Sequence, residues 1–233
     1  MLINELIARL QIIINKGIPS DDNRYSDRFI YSLLKSHRAK RIRQRLEGFK
    51  YISPFNYSTI QCLPLELGNF SDCPCFTSDC YILRSKVEIP KIIAYSNNLA
   101  IKNVTTIDGA VISETSKTKD NYKQYTKTKK DELGYFIYNK RLYVTGTTKL
   151  KVVTLTAIFE EPEDLNNISA CDTGGNVIPG TCYNPQEEDY PLDLDLYDDV
   201  ENMILDKLFK SMETREEDNE NNAKDTEVVQ EKE

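Results

Sequence analysis

The sequence holds a single histidine, His37, and no tryptophan among its 233 residues. With one imidazole, a Ser-His-Asp triad or a histidine-rich metal site has almost nothing to draw on. The phosphate loop G-x-x-x-x-G-K-[ST], the dinucleotide fingerprint G-x-G-x-x-G, the nucleophile elbow G-x-S-x-G and the zinc helix H-E-x-x-H are all missing, as is a redox C-x-x-C. No cofactor and no enzymatic activity are therefore expected. There is no run of ~18 apolar residues, so no transmembrane helix is legible and no membrane partner is expected. Glu5 stands where a secretory signal would carry bases, which reads as a protein made and kept in a cytoplasm.

What is present is tyrosine, 14 of them with 8 phenylalanines, and Tyr suits polar subunit contacts as well as half-buried strands. Charge is unevenly placed. Of the net −7, residues 187–199 carry −7 and residues 213–233 carry −6, which leaves +6 on residues 1–186. A mildly basic body thus bears acidic C-terminal segments. These acids read first as solvated surface and a disordered tail over 213–233; the sharper reading has them docked on, or kept clear of, basic surfaces and DNA.

Leu2, Ile3, Leu6, Ile7, Leu10, Ile13 and Ile14 recur at helical spacing, and Gly17 and Pro19 mark the stop. A second helix is predicted from about Asp22 to Glu47, capped by Ser20, Asp21 or Asp22 and ended near Gly48. Its first half presents Ile30, Leu33, Leu34 and His37. Its second presents Ile42, Leu46 and Phe49, rotated well round the axis, which implies a bend or a change of packing partner. The same helix carries Lys35, Arg38, Lys40, Arg41, Arg43 and Arg45. These cations read as a solvated or intersubunit salt-bridge face, as phosphate contacts, or as partners for acidic surfaces.

From Tyr51 the pattern becomes β. Strands are predicted over Tyr51–Leu63, Lys86–Tyr95, Asn98–Thr106 and Ala110–Ser113, with turns at Asn97-Asn98 and Asp108-Gly109. Pro54 places the first near an edge or bulge. Tyr135–Tyr138 and Leu142–Thr145 flank Asn139-Lys140-Arg141 as a hairpin, and Lys149–Phe159 reads as a central strand covered on both faces. Between them, residues 113–132 are polar and hold Lys117, Lys119, Lys123, Lys127, Lys129 and Lys130. A polar stretch this long predicts a protruding hairpin or loop, either simply solvated or reaching a partner or a DNA channel. Residues 163–212 read as a loop-rich linker and a last helix from about Asp198-Asp199, with Val200, Met203, Ile204, Leu208 and Met212 on its apolar face.

Of six cysteines, Cys62, Cys73, Cys75 and Cys80 are close in sequence. Their C-x-C and C-x₄-C spacing is poor for zinc, so a metal or a disulfide ranks below reduced, partly buried thiols. The acids Asp193 and Asp195, and Glu160, Glu161, Glu163 and Asp164, read as helix caps and solvated charge rather than a catalytic pair.

The expected fold is α+β: a helical pair over 1–50, an antiparallel β-sandwich or barrel-like domain over 51–162 with its hairpin, then the linker and C-terminal helix. Four stretches carry a resemblance. Tyr135-Phe-Ile-Tyr-Asn-Lys-Arg-Leu-Tyr-Val144, followed by Leu150-Lys-Val-Val-Thr-Leu-Thr-Ala-Ile-Phe-Glu-Glu-Pro162, is similar to phage tail-tube and adaptor proteins. Ser20-Asp-Asp-Asn-Arg-Tyr-Ser-Asp-Arg-Phe29 and the stretch from Cys73-Pro-Cys75 to Cys80-Tyr-Ile-Leu-Arg-Ser85 resemble structural proteins of crAss-like, short-tailed phages. The resemblance implies a head-to-tail connector ring of about twelve copies. It would lie in the virion neck or tail, against a portal protein and adjacent ring or tail proteins, around the channel for packaged double-stranded DNA. The alternative is a monomeric nucleic-acid-binding module using helix 35–45 and the lysine-rich segment.

Overall fold

The computed structural model describes residues 2–15, 25–68, 82–116, 119, 132–168 and 189–210. Within them the fold is α+β: three helices, a closed barrel and a small two-stranded ribbon. Helix α1 spans Ile3–Ile14 and buries Ile3, Leu6, Ile7 and Leu10, the stripe its periodicity predicts. Helix α2 spans Asp27–Glu47. It starts later than expected because Ser26 is its cap, accepting a hydrogen bond from the Phe29 N–H at 3.4 Å; Ser20, Asp21 and Asp22 lie outside the described residues. Helix α3 covers residues 194–210, opening four residues before Asp198. The Asp193 carbonyl accepts from the Leu196 and Tyr197 N–H groups, at 3.0 and 2.8 Å, to begin it.

The strands are β1 (Ser58–Leu67), β2 (Leu83–Ser85), β3 (Ala94–Tyr95), β4 (Asn98–Leu99), β5 (Ile101–Thr106), β6 (Val111–Glu114), β7 (Gly134–Tyr138), β8 (Arg141–Thr145) and β9 (Val152–Ala157). Seven of them close in the order β1-β2-β8-β7-β6-β5-β9, while β3 and β4 pair apart. Closure leaves no free edge in the barrel.

Several local expectations are corrected. Tyr51–Leu63 is not one strand: Pro54 opens a 3-10 turn over Pro54–Asn56, and β1 follows with a register shift between Ile60 and Leu63. Lys86–Tyr95 is largely not strand, since Pro90 has no N–H to donate; Ile92 makes an isolated bridge to Phe159. The turn before β4 falls at Ser96-Asn97, with Ser96 at φ 44°. The β7–β8 turn is two residues, Asn139 and Lys140, both at positive φ, as a type I′ hairpin requires; Arg141 already pairs with Tyr138. β9 is central in bonding, flanked by β1 and β5. It is fully covered on one face only: Val153, Leu155 and Ala157 are buried, whereas Val152, Thr154 and Thr156 are half-buried.

The protruding hairpin expected over 113–132 falls largely outside the described residues, but the strands on either side of it are described. β6 and β7 pair in parallel, Ser113 opposite Gly134 and Glu114 opposite Tyr135. β6 and β7 are therefore not themselves the two arms of one hairpin, and residues 117, 118 and 120–131 between them lie outside the described residues. The return is tight. Gly146, at φ +91°, lies so close to the chain that a Cβ there would come within 2.6 Å of the Glu132 carbonyl oxygen.

Two large hydrophobic cores result, beside a small third cluster of Ile82, Phe136 and Tyr143. The barrel core is built from Ile60, Leu63, Val104, Ile112, Leu142, Val144, Val153 and Leu155 among others. The helical core takes Leu6 and Leu10 of α1, Ile30, Leu33 and Leu34 of α2, and Val200, Ile204 and Leu208 of α3. α2 serves both, because Ala39, Ile42 and Leu46 pack against the barrel core. The drift of its apolar face is therefore a change of packing partner. The helices sit where β1 begins and β9 ends. The far rim holds the end of β1, the β5–β6 turn and the β8–β9 link, as the antiparallel registers dictate.

Candidate assembly surfaces

The cations of α2 are the most conspicuous candidates, and the structure buries Arg38 and pairs Lys35, Arg41, Arg43 and Arg45 within the chain, while Lys40 is exposed. Arg38 is fully buried. Its position follows from spacing: Leu34, Arg38 and Ile42 are four residues apart, on one stripe that faces the junction of the two cores. Arg38 Nε donates to the Pro191 carbonyl at 2.9 Å, Nη1 to the Phe159 carbonyl at 2.9 Å and Nη2 to the Asn56 carbonyl at 3.5 Å. Its guanidinium lies 5.4 Å from the Tyr190 ring centroid. Burial lowers the Arg38 pKa and pushes the Tyr190 hydroxyl up to about 12. Arg38 is thus no surface contact for phosphate or a partner; it ties the α2–β1 link, the end of β9 and the approach to α3 together.

The neighbouring cations pair within the chain. Asp199 Oδ2 accepts from Arg41 Nη2 at 2.9 Å and from Arg45 Nη2 at 3.0 Å, and Arg45 also donates to the Asp195 carbonyl. Partial burial would raise the Asp199 carboxyl, but the hydrogen bonds and charges of Arg45 and Arg41 outweigh it and hold its pKa below the ordinary value. Lys35 lies between Glu161 at 3.7 Å and Glu163 at 3.8 Å. Arg43 meets Glu160 at 3.2 Å, and Lys91 reaches the other oxygen of the same carboxylate. From α1, Arg9 meets Glu201 at 3.1 Å and lies over the Tyr197 ring. Asp198, Asp199 and Glu201 are therefore docked on Arg9 of α1 and on Arg41 and Arg45 of α2. The basic helix is not an open positive face, which removes much of the support for a nucleic-acid module built on it.

Of the lysine-rich segment, Lys119 is described and exposed; Lys117, Lys123, Lys127 and Lys129 lie outside the described residues. So do Cys73, Cys75 and Cys80. Cys62 is half-buried and disulfide-bonded, with its partner outside the described residues. This corrects the expected free thiol and takes Cys62 out of any zinc set. Among the described residues no cluster of three or more His, Cys, Asp or Glu is placed to hold a metal ion. No described helix is long and apolar enough to cross a membrane.

His37 is buried, and among the described residues neither ring nitrogen has a hydrogen-bond partner. Burial first, then the charges of Lys207 and Lys40, lower its pKa from 6.5. The unfolded chain therefore binds a proton more readily than the folded one, and stability falls as pH drops below 6.5 toward the folded pKa. Because His37 is the only histidine, His37→Phe is expected to flatten urea-unfolding stability between pH 7 and 5.5; an unchanged slope would assign it elsewhere.

The surface that sequence reasoning missed is apolar. Phe49 is 96% exposed, Phe55 80% and Tyr51 76%. All three lie in the link from α2 to β1. Exposed Leu194 joins them, because its neighbours Asp193 and Asp195 bond to Asn56 and Arg45. Phe49 is also strained. The Lys50 N–H bonds to the Arg45 carbonyl and the Phe49 N–H to the Leu46 carbonyl, which is the Schellman pattern, with Phe49 at φ 52° in the left-handed position that glycine usually takes. A bulky aromatic there is an outlier. A second apolar group, Ile107, Val111 and Leu67, is exposed at the far rim. From sequence, Tyr51 and Phe55 read as strand residues; Phe55 instead lies in the turn opened by Pro54, and Tyr51 in the irregular link before it.

No curated protein matches the chain. A family model described as phage tail ring protein 2 matches residues 5–231.

Proposed function

The chain belongs to the phage tail ring protein 2 family, a structural, virion-borne component of a bacteriophage tail, and from that premise we propose that it forms a closed ring in the head-to-tail connector of a short-tailed, crAss-like phage. The ring encloses the channel through which the genome passes. It contacts a portal protein on one side or adjacent ring and tail proteins on the other, and it is made in the host cytoplasm before assembly. The observation that carries this reading is the family match over nearly the whole chain, 5–231. The exposed apolar groups at two separate places support it, since closed cyclic assemblies are built from heterologous contacts.

The lysine-rich segment 117–130 is the part we assign to non-specific contact with packaged DNA, since Lys35, Arg38, Arg41, Arg43 and Arg45 of α2 are engaged within the fold. Mass photometry of the purified 26.9 kDa chain, alone and with portal, is expected to show a closed species near 320 kDa, about twelve copies. A monomer under all these conditions, with DNA affinity falling steeply in salt, would favour the nucleic-acid module instead.

A further inference from the structure

We propose that copies of this chain join head to tail, the aromatic face Phe49–Tyr51–Phe55–Leu194 of one copy seating on the far barrel rim Ile107–Val111–Leu67 of the next. This rests on the ring reading and goes beyond it by naming the two faces.

Three observations carry it. First, among the described residues these two groups hold the most exposed large apolar side chains, 59–96% open, whereas Leu2, Ile12, Phe29, Val87, Tyr138 and Phe209 are 36–53% open. Second, they lie at opposite ends of the barrel. Phe55 stands just before β1 begins and Leu67 is its last residue, and a ten-residue strand spans roughly 30 Å. Ile107 and Val111 flank the β5–β6 turn on Leu67's side, because β1 and β5 both run antiparallel to β9. Faces at opposite ends are what a head-to-tail contact needs, and a two-fold dimer does not. Third, Phe49 holds a left-handed backbone conformation at almost complete exposure. Gly would stabilise the free chain there, so the ring of Phe49 is better explained by something it meets.

The occupant is a second copy because the family assembles as rings and this chain carries both halves of the contact.

The test uses two full-length variants. Tyr51→Ser/Phe55→Ser spoils one face and Ile107→Ser/Val111→Ser the other. Each alone is expected to weaken self-association by roughly a hundredfold and run as a monomer. Mixed one to one, they should form a dimer and nothing larger, since one intact pair of faces remains; that dimer also shows both variants are folded. Phe49→Gly should raise the melting temperature by ~2–4 °C while weakening assembly, an opposite pair of effects that a purely structural role would not give. Rings in either double variant, or a mixture that stays monomeric while the wild type forms rings, would overturn the assignment of faces. A wild type that never forms rings, alone or with portal, would instead overturn the ring reading and this proposal with it.

Discussion

Arg38→Met is expected to destabilise the protein by about 3–5 kcal/mol, read as a shift of the urea-unfolding midpoint at pH 7. Methionine approximates the volume of the aliphatic stem, so the loss is one of hydrogen bonds rather than of packing. The three carbonyls of Pro191, Phe159 and Asn56 stay where the backbone holds them. Each would be left without a donor in a buried place, and an unmet buried polar group costs about 1–3 kcal/mol. Replacing a buried ion pair by apolar residues can be neutral because both partners go; here the acceptors are main chain and cannot be mutated away. Arg38→Lys keeps the charge but loses the planar fork, so one ammonium cannot serve three separated carbonyls, and an intermediate loss is expected. A change below ~1 kcal/mol for the Met variant would mean that water reaches the carbonyls and that Arg38 is not the tie between the cores.

Ile42→Ala should cost about 2–4 kcal/mol, and Leu34→Ala a similar amount. Both side chains are completely buried on the same helix, Leu34 in the helical core and Ile42 in the barrel core. The distinctive expectation lies in the shape of the transitions. With α2 shared and Arg38 between the two positions, each substitution should lower one common midpoint seen by far-ultraviolet circular dichroism and by tyrosine fluorescence alike. Two separated transitions in either variant would show that the barrel and the helices unfold independently, and that α2 joins them without coupling them.

Legibility in the sequence followed the strength of the local signal. The apolar stripe of α1 has one partner surface throughout, so period alone located it. α2 was located by the same signal, and its rotated second half was readable as a change of partner. The identity of the second partner was not, because nothing local distinguishes a barrel from more helix. Arg38 was readable in part: an arginine four residues from Leu34 and from Ile42 sits on the apolar stripe, yet composition counted it with the other surface cations. β9 and the β7–β8 hairpin were legible from alternation and from Asn139. Residues 86–93 were not, since apolar spacing predicted strand where Pro90 prevents pairing.

The sequence by itself determined that the chain is α+β, that a single histidine leaves little for acid–base chemistry, and that a basic body is set against acidic C-terminal segments. These are properties of residue counts and short-range period, which need no partner. The tertiary structure alone decided which charges remain available. Asp199 and Glu201 are more than 150 residues from Arg41 and Arg9 in the chain, and only the docking of α3 on α1 and α2 brings them together. It likewise decided that β6 and β7 run parallel, because strand direction depends on closure of the barrel rather than on either strand's own residues. Finally, it turned Phe49, Tyr51 and Phe55 outward: an aromatic side chain has the same hydrophobicity in a core as on a surface, and only packing by the rest of the fold decides which it occupies.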